Sequence, residues 1–199
     1  MTAPSDWLAA DRTDLATGRI LDTAEALFVA HGVSAVTMRD VAAAVGCSRA
    51  TLYRYFPGRD RLLAAYVERT ARNIGVAVAA TLTDAGSPAD RLVRAVETAL
   101  SGVRGSPALS QWFDADMAGT ASNLALLSPA IDALATDILT RLAPAGDAGT
   151  DPAGPIAARA GWLVRVLVSL LAAPAPDTAT EHDLLLRFVV PVVLPEPIR

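Results

Sequence analysis

The 199-residue chain contains no lysine, one cysteine, two histidines and about 5% aromatic residues. A lone Cys47 excludes an internal disulfide framework and a multi-cysteine metal centre. His31 and His182 leave no basis for a histidine-built metal site. Charge of one sign is also lacking: 17 basic residues, all arginine, face 21 acids for a net charge of −4. That balance excludes a protein coating nucleic acid with its whole surface. No long apolar run is present. The best membrane candidate, Gly161 to Ala173, contains Arg165 and falls short of the roughly 20 apolar residues that a span requires. It is read as a buried helix. Met1 to Asp11 lacks a basic start and an apolar core, and so is not read as a signal peptide. A hydrophobic fraction of 52% against 19% charged excludes intrinsic disorder. A cytoplasmic protein is expected.

What is abundant is alanine, at 41 residues, which favours helix because it loses no side-chain entropy there. Apolar positions Ile20, Ala24, Leu27 and Phe28 recur at helical spacing between about Asp14 and His31, and Gly32 suits a helix end. Thr37 with Asp40 three residues on forms the pattern of a capping box. It opens a short helix, Met38 to Val45, that stops at Gly46; Ser48 caps the next, to about Tyr55. After Pro57-Gly58 a long helix is predicted from Arg59 to about Thr81. Ser87-Pro88, Ser106-Pro107 and Ser128-Pro129 each pair a capping serine with a first-turn proline. They predict helices at 88–104, 107–118 and 129–143, with a short one at 121–127. Residues 143–155 read as a loop, 156–173 as a helix, and Thr180 with Asp183 as the cap of a last helix. The fold class is all-α, with about nine helices and no strand. The expected domains are a helix-turn-helix unit over 1–72 and a helical ligand-binding and dimerisation unit over 73–199.

Charge is unevenly placed. Arg12 to Arg72 carries nine arginines against six acids, whereas 73–199 carries eight against thirteen. A basic first third on an acidic body points to a localised anion-binding surface. The segment Met38 to Tyr55 says what kind. A helix-turn-helix needs a small residue where its helices meet, a turn residue tolerant of left-handed geometry, and apolar positions that lock the crossing. Ala42, Gly46 and the set Val41, Val45, Leu52 and Phe56 meet those needs. With these inward, Arg49 and Tyr53 share one outward face, and Thr51 and Tyr55 another. The first turn then displays Ser48, Arg49, Ala50 and Thr51, side chains suited to base edges in a major groove. The tyrosine hydroxyls and the helix N-termini at Thr37 and near Gly58 suit phosphates.

The run TMRDVAAAVGCSRATLYRYFPGRDRLL, Thr37 to Leu63, resembles the DNA-binding region of the TetR family of bacterial repressors. The preceding helix with Ala24, Leu27, Phe28 and Gly32 matches too, so the likeness covers about the first 70 residues. The resemblance implies an all-helical homodimer whose C-terminal body holds a small-molecule effector that releases it from a palindromic operator. By position it implies that Arg49, Thr51 and Tyr53 face bases or adjacent backbone and that Thr37, Tyr55 and Arg59 hold phosphates. Gly58 stands where the family commonly has a capping serine, and Arg59 where it has lysine.

Trp112, Phe113, Met117 and Trp162 are the candidates for an apolar ligand site, with ordinary core packing as the competing reading. Two apolar stripes, Trp162 to Leu171 and Leu184 to Val192, predict a homodimer through the last two helices. Asp114 and Asp116 read as a solvated face rather than a metal pair. No nucleophile with a base at motif spacing, Gly-rich phosphate loop or metal set is found. The expected protein is therefore a non-enzymatic, cofactor-free regulator bound to double-stranded DNA and to an apolar effector. The alternative is a helical ligand carrier or scaffold without DNA binding.

Overall fold

Left-handed glycines and side-chain caps divide the chain into helices. The computed structural model describes residues 7–110, 112, 118–143 and 155–195, all helix or connecting loop with no strand among them. The chain separates into two compact units, Met1–Tyr66 and Val67–Arg199, a boundary six residues before the one expected.

The first unit opens with α1 (Trp7–His31). It starts a turn or two before the sequence pattern predicts, because no breaker separates Trp7 from Asp14. Gly32, at φ 81°, donates its N–H to Phe28 O at 2.9 Å and closes it. The helices α2 (Met38–Val45) and α3 (Arg49–Tyr55) follow, and α4 (Arg59–Thr81) begins after Pro57-Gly58. Ile20, Leu21, Ala24 and Phe28 of α1 are buried with Val41 and Ala42 of α2, Leu52 of α3, and Leu62, Leu63 and Tyr66 of α4. Phe28 and Tyr66 meet edge to face at 5.5 Å, and the Tyr66 hydroxyl donates to Glu25 at 3.2 Å. Full burial of a leucine such as Leu52 contributes about 1.5–3 kcal/mol.

In the second unit Ser87, Ser106 and Ser128 each accept a backbone N–H three residues on, from Asp90, Leu109 and Ile131. They start α5 (Pro88–Arg104), α6 (Pro107–Ser110) and α8 (Pro129–Leu142). Between the last two lies α7 (Ala118–Leu126). α6 is shorter than predicted, and of the rest of that predicted helix only Trp112 and the start of α7 lie within the described residues. Helix α9 (Ile156–Ala172) packs against α8, α7 and α5.

The last helix corrects the sequence reading at its start. Asp177, not Thr180, is the cap: Asp177 Oδ1 accepts the Thr180 N–H at 2.7 Å, so α10 spans Thr178–Leu184. A π-helical turn, Leu185–Val189, follows, and then α11 (Val190–Val193). Pro191 supplies the reason, having no N–H to give and a ring that would crowd the carbonyl four residues back. Widening the turn relieves that clash. Leu92, Val96, Leu100, Leu139, Leu163 and Leu185 form the centre of the buried core.

Candidate functional site

The helix-turn-helix is built by two caps and one glycine. The Thr37 N–H and hydroxyl both donate to Asp40 Oδ2, at 3.0 and 2.6 Å, while Thr37 Oγ1 accepts from Asp40 N. These bonds, the hydroxyl's first, hold the Asp40 carboxyl below the usual aspartate value. At the far end of α2 Gly46 adopts φ 78°, ψ 33°. Its N–H reaches Ala43 O at 3.1 Å, and the Cys47 N–H reaches Ala42 O at 3.0 Å. This is the Schellman pattern, which needs a left-handed residue at the position of Gly46. The turn aims α3 away from α2.

On α3, Ser48 Oγ accepts the Thr51 N–H at 3.1 Å and lies 2.9 Å from Thr51 Oγ1. Both hydroxyls are thus tied to the first turn. Leu52 is fully buried and Phe56 nearly so. That orientation leaves Ser48, Arg49, Ala50, Tyr53 and Arg54 exposed, Tyr53 at 41%. Thr51 and Tyr55 are half-buried, and the Arg54 guanidinium lies 5.7 Å over the Tyr55 ring. Arg39 is exposed on α2. The outward face therefore carries arginines, a phenol and a small apolar side chain, with no acid on α3.

Arg59 has intramolecular partners that its sequence position does not disclose. Its Nη2 donates to Val33 O at 2.6 Å and its Nε to Val36 O at 3.3 Å. The side chain therefore pins the loop between α1 and α2. Gly58, before it, has φ 144°, a conformation nearly closed to residues with a Cβ. A serine cap at this position would be strained in this backbone.

In the second unit, α4 to α9 line an apolar cavity of about 180 Å³ that is partly open to solvent. Trp112, only 1% exposed, forms part of its wall. Trp162 does not: it is 46% exposed on α9 and absent from the lining. Phe113 and Met117 lie outside the described residues. Sequence reasoning missed the wall supplied by α4, where Val67, Ala71, Ile74 and Val78 run along one face. Their helical spacing was the available signal. Among the described residues no cluster of His, Cys, Asp or Glu has the makings of a metal site, and no helix is long and apolar enough to cross a membrane.

Residues 20–66 match the model for bacterial regulatory proteins of the tetR family. Over 193 residues the chain is 42% identical to MT1294 and Rv1255c, uncharacterized HTH-type transcriptional regulators from two strains of Mycobacterium tuberculosis; the match covers 97% of this chain and 93% of theirs. The chain belongs to the TetR family. Solved structures share the fold. Ligand-free RolR gives a TM-score of 0.68 at 19% identity, covering 86% of this chain and 89% of its own. Thermus thermophilus FadR, a TetR family repressor in complex with lauroyl-CoA, gives 0.65 at 22%, covering 92% and 100%. As a TetR family regulator the chain carries its helix-turn-helix at α2 and α3, within the residues that the family model matches.

Proposed function

We propose that this TetR family regulator reads DNA with the outward face of α3 and is released by a small apolar molecule held in the cavity of its second unit. The observation that carries the reading is the rotation of α3: with Leu52 and Phe56 inward, Arg49, Ala50 and Tyr53 project together. Arg49 is suited to donate twice to a guanine, and Ala50 and Thr51 to touch thymine methyls. Ser48 fixes the first turn. Tyr53, Tyr55 and the first turn of α2, which Thr37 caps with Asp40, are set toward the DNA backbone, where the tyrosine hydroxyls and the helix N-terminus meet phosphates. Arg59 supports that surface through the Val33 and Val36 carbonyls and adds positive charge beside it.

The apolar side chains left in solvent support a homodimer through the last two helices. Trp162 on α9, Phe188 in the π-helical turn and Val192 on α11 are 46%, 68% and 47% exposed. A second copy related by two-fold symmetry would cover them and would supply a second α3 for the other half of a palindrome. Regulation rather than catalysis is the assigned activity.

Footprinting on the DNA flanking the gene tests the reading. The expected result is one protected palindrome at low salt, with affinity falling steeply as salt rises through counterion release. Arg49→Ala should weaken that site by about 1–3 kcal/mol and relax specificity at one base position in each half-site, with non-specific affinity largely kept. Protection of no site, or an Arg49→Ala variant as selective as the parent, overturns it.

A further inference from the structure

The cavity wall is uniform in a way that restricts what it can hold. Among its described lining residues only Asp137 is charged, and that side chain is exposed and paired with Arg141 Nε at 2.8 Å. The wall is otherwise aliphatic apart from Trp112. Alanine and glycine recur along it, at Ala71, Gly75, Ala79, Ala95 and Ala99 of α4 and α5. The alanines leave space along the wall, whereas Leu134 fills the place where Gly75 lacks a Cβ, 2.9 Å from it, and Leu92, Ile138 and Leu163 shape the rest. Among the described residues a carboxylate or ammonium brought inside would lose its hydration and meet no unpaired counter-charge, and a hydroxyl would meet the indole N–H of Trp112 but no side-chain acceptor other than the exposed Asp137. Size sets the other limit. The cavity measures about 180 Å³, and an apolar cavity of about 150 Å³ takes benzene and stays dry.

We propose that the molecule held by this cavity is a compact uncharged hydrocarbon skeleton, of about six to ten carbons on that scale, selected chiefly by shape. This rests on the reading of the cavity as the effector site, and narrows it. A head group, if the molecule has one, must stay outside the wall.

Calorimetric titration of the full chain tests the claim with probes of nearly one shape: ethylbenzene, benzyl alcohol, benzylamine and phenylacetate, with n-octane as a linear probe. Ethylbenzene or n-octane should bind one per chain and raise the melting temperature. Benzyl alcohol should bind at least about tenfold more weakly than ethylbenzene, since its hydroxyl proton finds no acceptor among the described side chains of the wall. Benzylamine and phenylacetate should not bind. Ala99→Leu, which fills the cavity, should cut hydrocarbon affinity at least about tenfold, with Ala125→Leu as the second variant should the first not fold. Equal or tighter binding of any polar probe, or binding of neither hydrocarbon, overturns the proposal. DNA binding by the ligand-free chain is measured beside it. Loss of operator binding with hydrocarbon binding intact removes the regulator reading, whereas operator binding with no hydrocarbon binding removes this inference alone.

Discussion

Arg104 and Glu181 join α5 to the start of α10, and removing one of them should cost more than removing both. Arg104 Nη1 and Nη2 donate to the two carboxylate oxygens of Glu181 at 2.9 and 2.7 Å, and Nη2 also reaches Leu170 O at 3.0 Å. The Glu181 side chain is 7% exposed and that of Arg104 36%. The paired carboxylate holds the Arg104 guanidinium above its usual value, first through the hydrogen bonds. Arg104→Met strands a buried carboxylate without its two charge-assisted bonds. Breaking a fully buried pair costs about 3–5 kcal/mol. Water reaches the arginine side here, so the figure expected is about 2–3 kcal/mol. In a chain of this size that lowers the melting temperature by about 4–12 °C. The double variant Arg104→Met with Glu181→Leu leaves no stranded charge and should return to within about 1 kcal/mol of the parent. Urea unfolding of the parent, both single variants and the double variant, followed by tryptophan fluorescence, completes the cycle. An Arg104→Met variant within about 0.5 kcal/mol of the parent would refute the reasoning, as would a double variant no better than the sum of the singles.

Arg59→Ala releases the Val33 and Val36 carbonyls, so it should destabilise the first unit by about 1–3 kcal/mol, speed amide exchange around 33–37 and weaken binding to all DNA sequences alike. Gly46→Ala places a Cβ with nothing within 4 Å, so left-handed strain alone sets its cost, about 1–2 kcal/mol by urea melting; a cost well above that would mean hidden packing. The pH dependence follows from the caps. Asp40 and Asp90 have carboxyls lowered by hydrogen bonds from the caps they serve, Thr37 and Ser87, and Asp177, itself the cap of α10, has its carboxyl lowered by hydrogen bonds from Thr180, the backbone N–H first. A lowered folded value means that their stabilisation is whole above the ordinary aspartate value of about 3.9 and is lost as pH falls through the folded one. Asp40→Asn should therefore narrow the stability difference between about pH 6 and pH 3, and an unchanged difference in acid titration by circular dichroism would count against the capping box.

The legible part of this molecule is the part whose contacts are short in sequence. Thr37 and Asp40, Ala42 and Gly46, and Ser48 and Thr51 are partners within five residues of each other, and all three pairs stand in the sequence as motifs. The helix starts at Ser87, Ser106 and Ser128 are of the same kind. Where local signals mislead, a nearby competitor wins: Thr180 has the right chemistry for a cap, but Asp177 accepts the Thr180 N–H and starts the helix three residues sooner. The π-helical turn is invisible because hydrophobic spacing does not register a single widened turn, although Pro191 marks where the backbone is obliged to yield.

Arg59 and the cavity show the other limit. A guanidinium at the head of α4 is equally consistent with a phosphate and with two carbonyls 23 and 26 residues back, and only the path of the α1–α2 loop decides between them. The cavity is harder still, since its wall takes residues from each of six helices and much of that wall is alanine. Alanine is unremarkable in a sequence that has 41 of them, and the aromatic residues that do stand out divide: Trp112 lines the space while Trp162 faces away from it. A pocket made by the absence of side-chain volume leaves its trace as small residues at helical spacing on several helices at once. Ala71 and Ala79 on α4, with Ala95 and Ala99 on α5, are that trace, and they acquire meaning only when folding brings them to one wall.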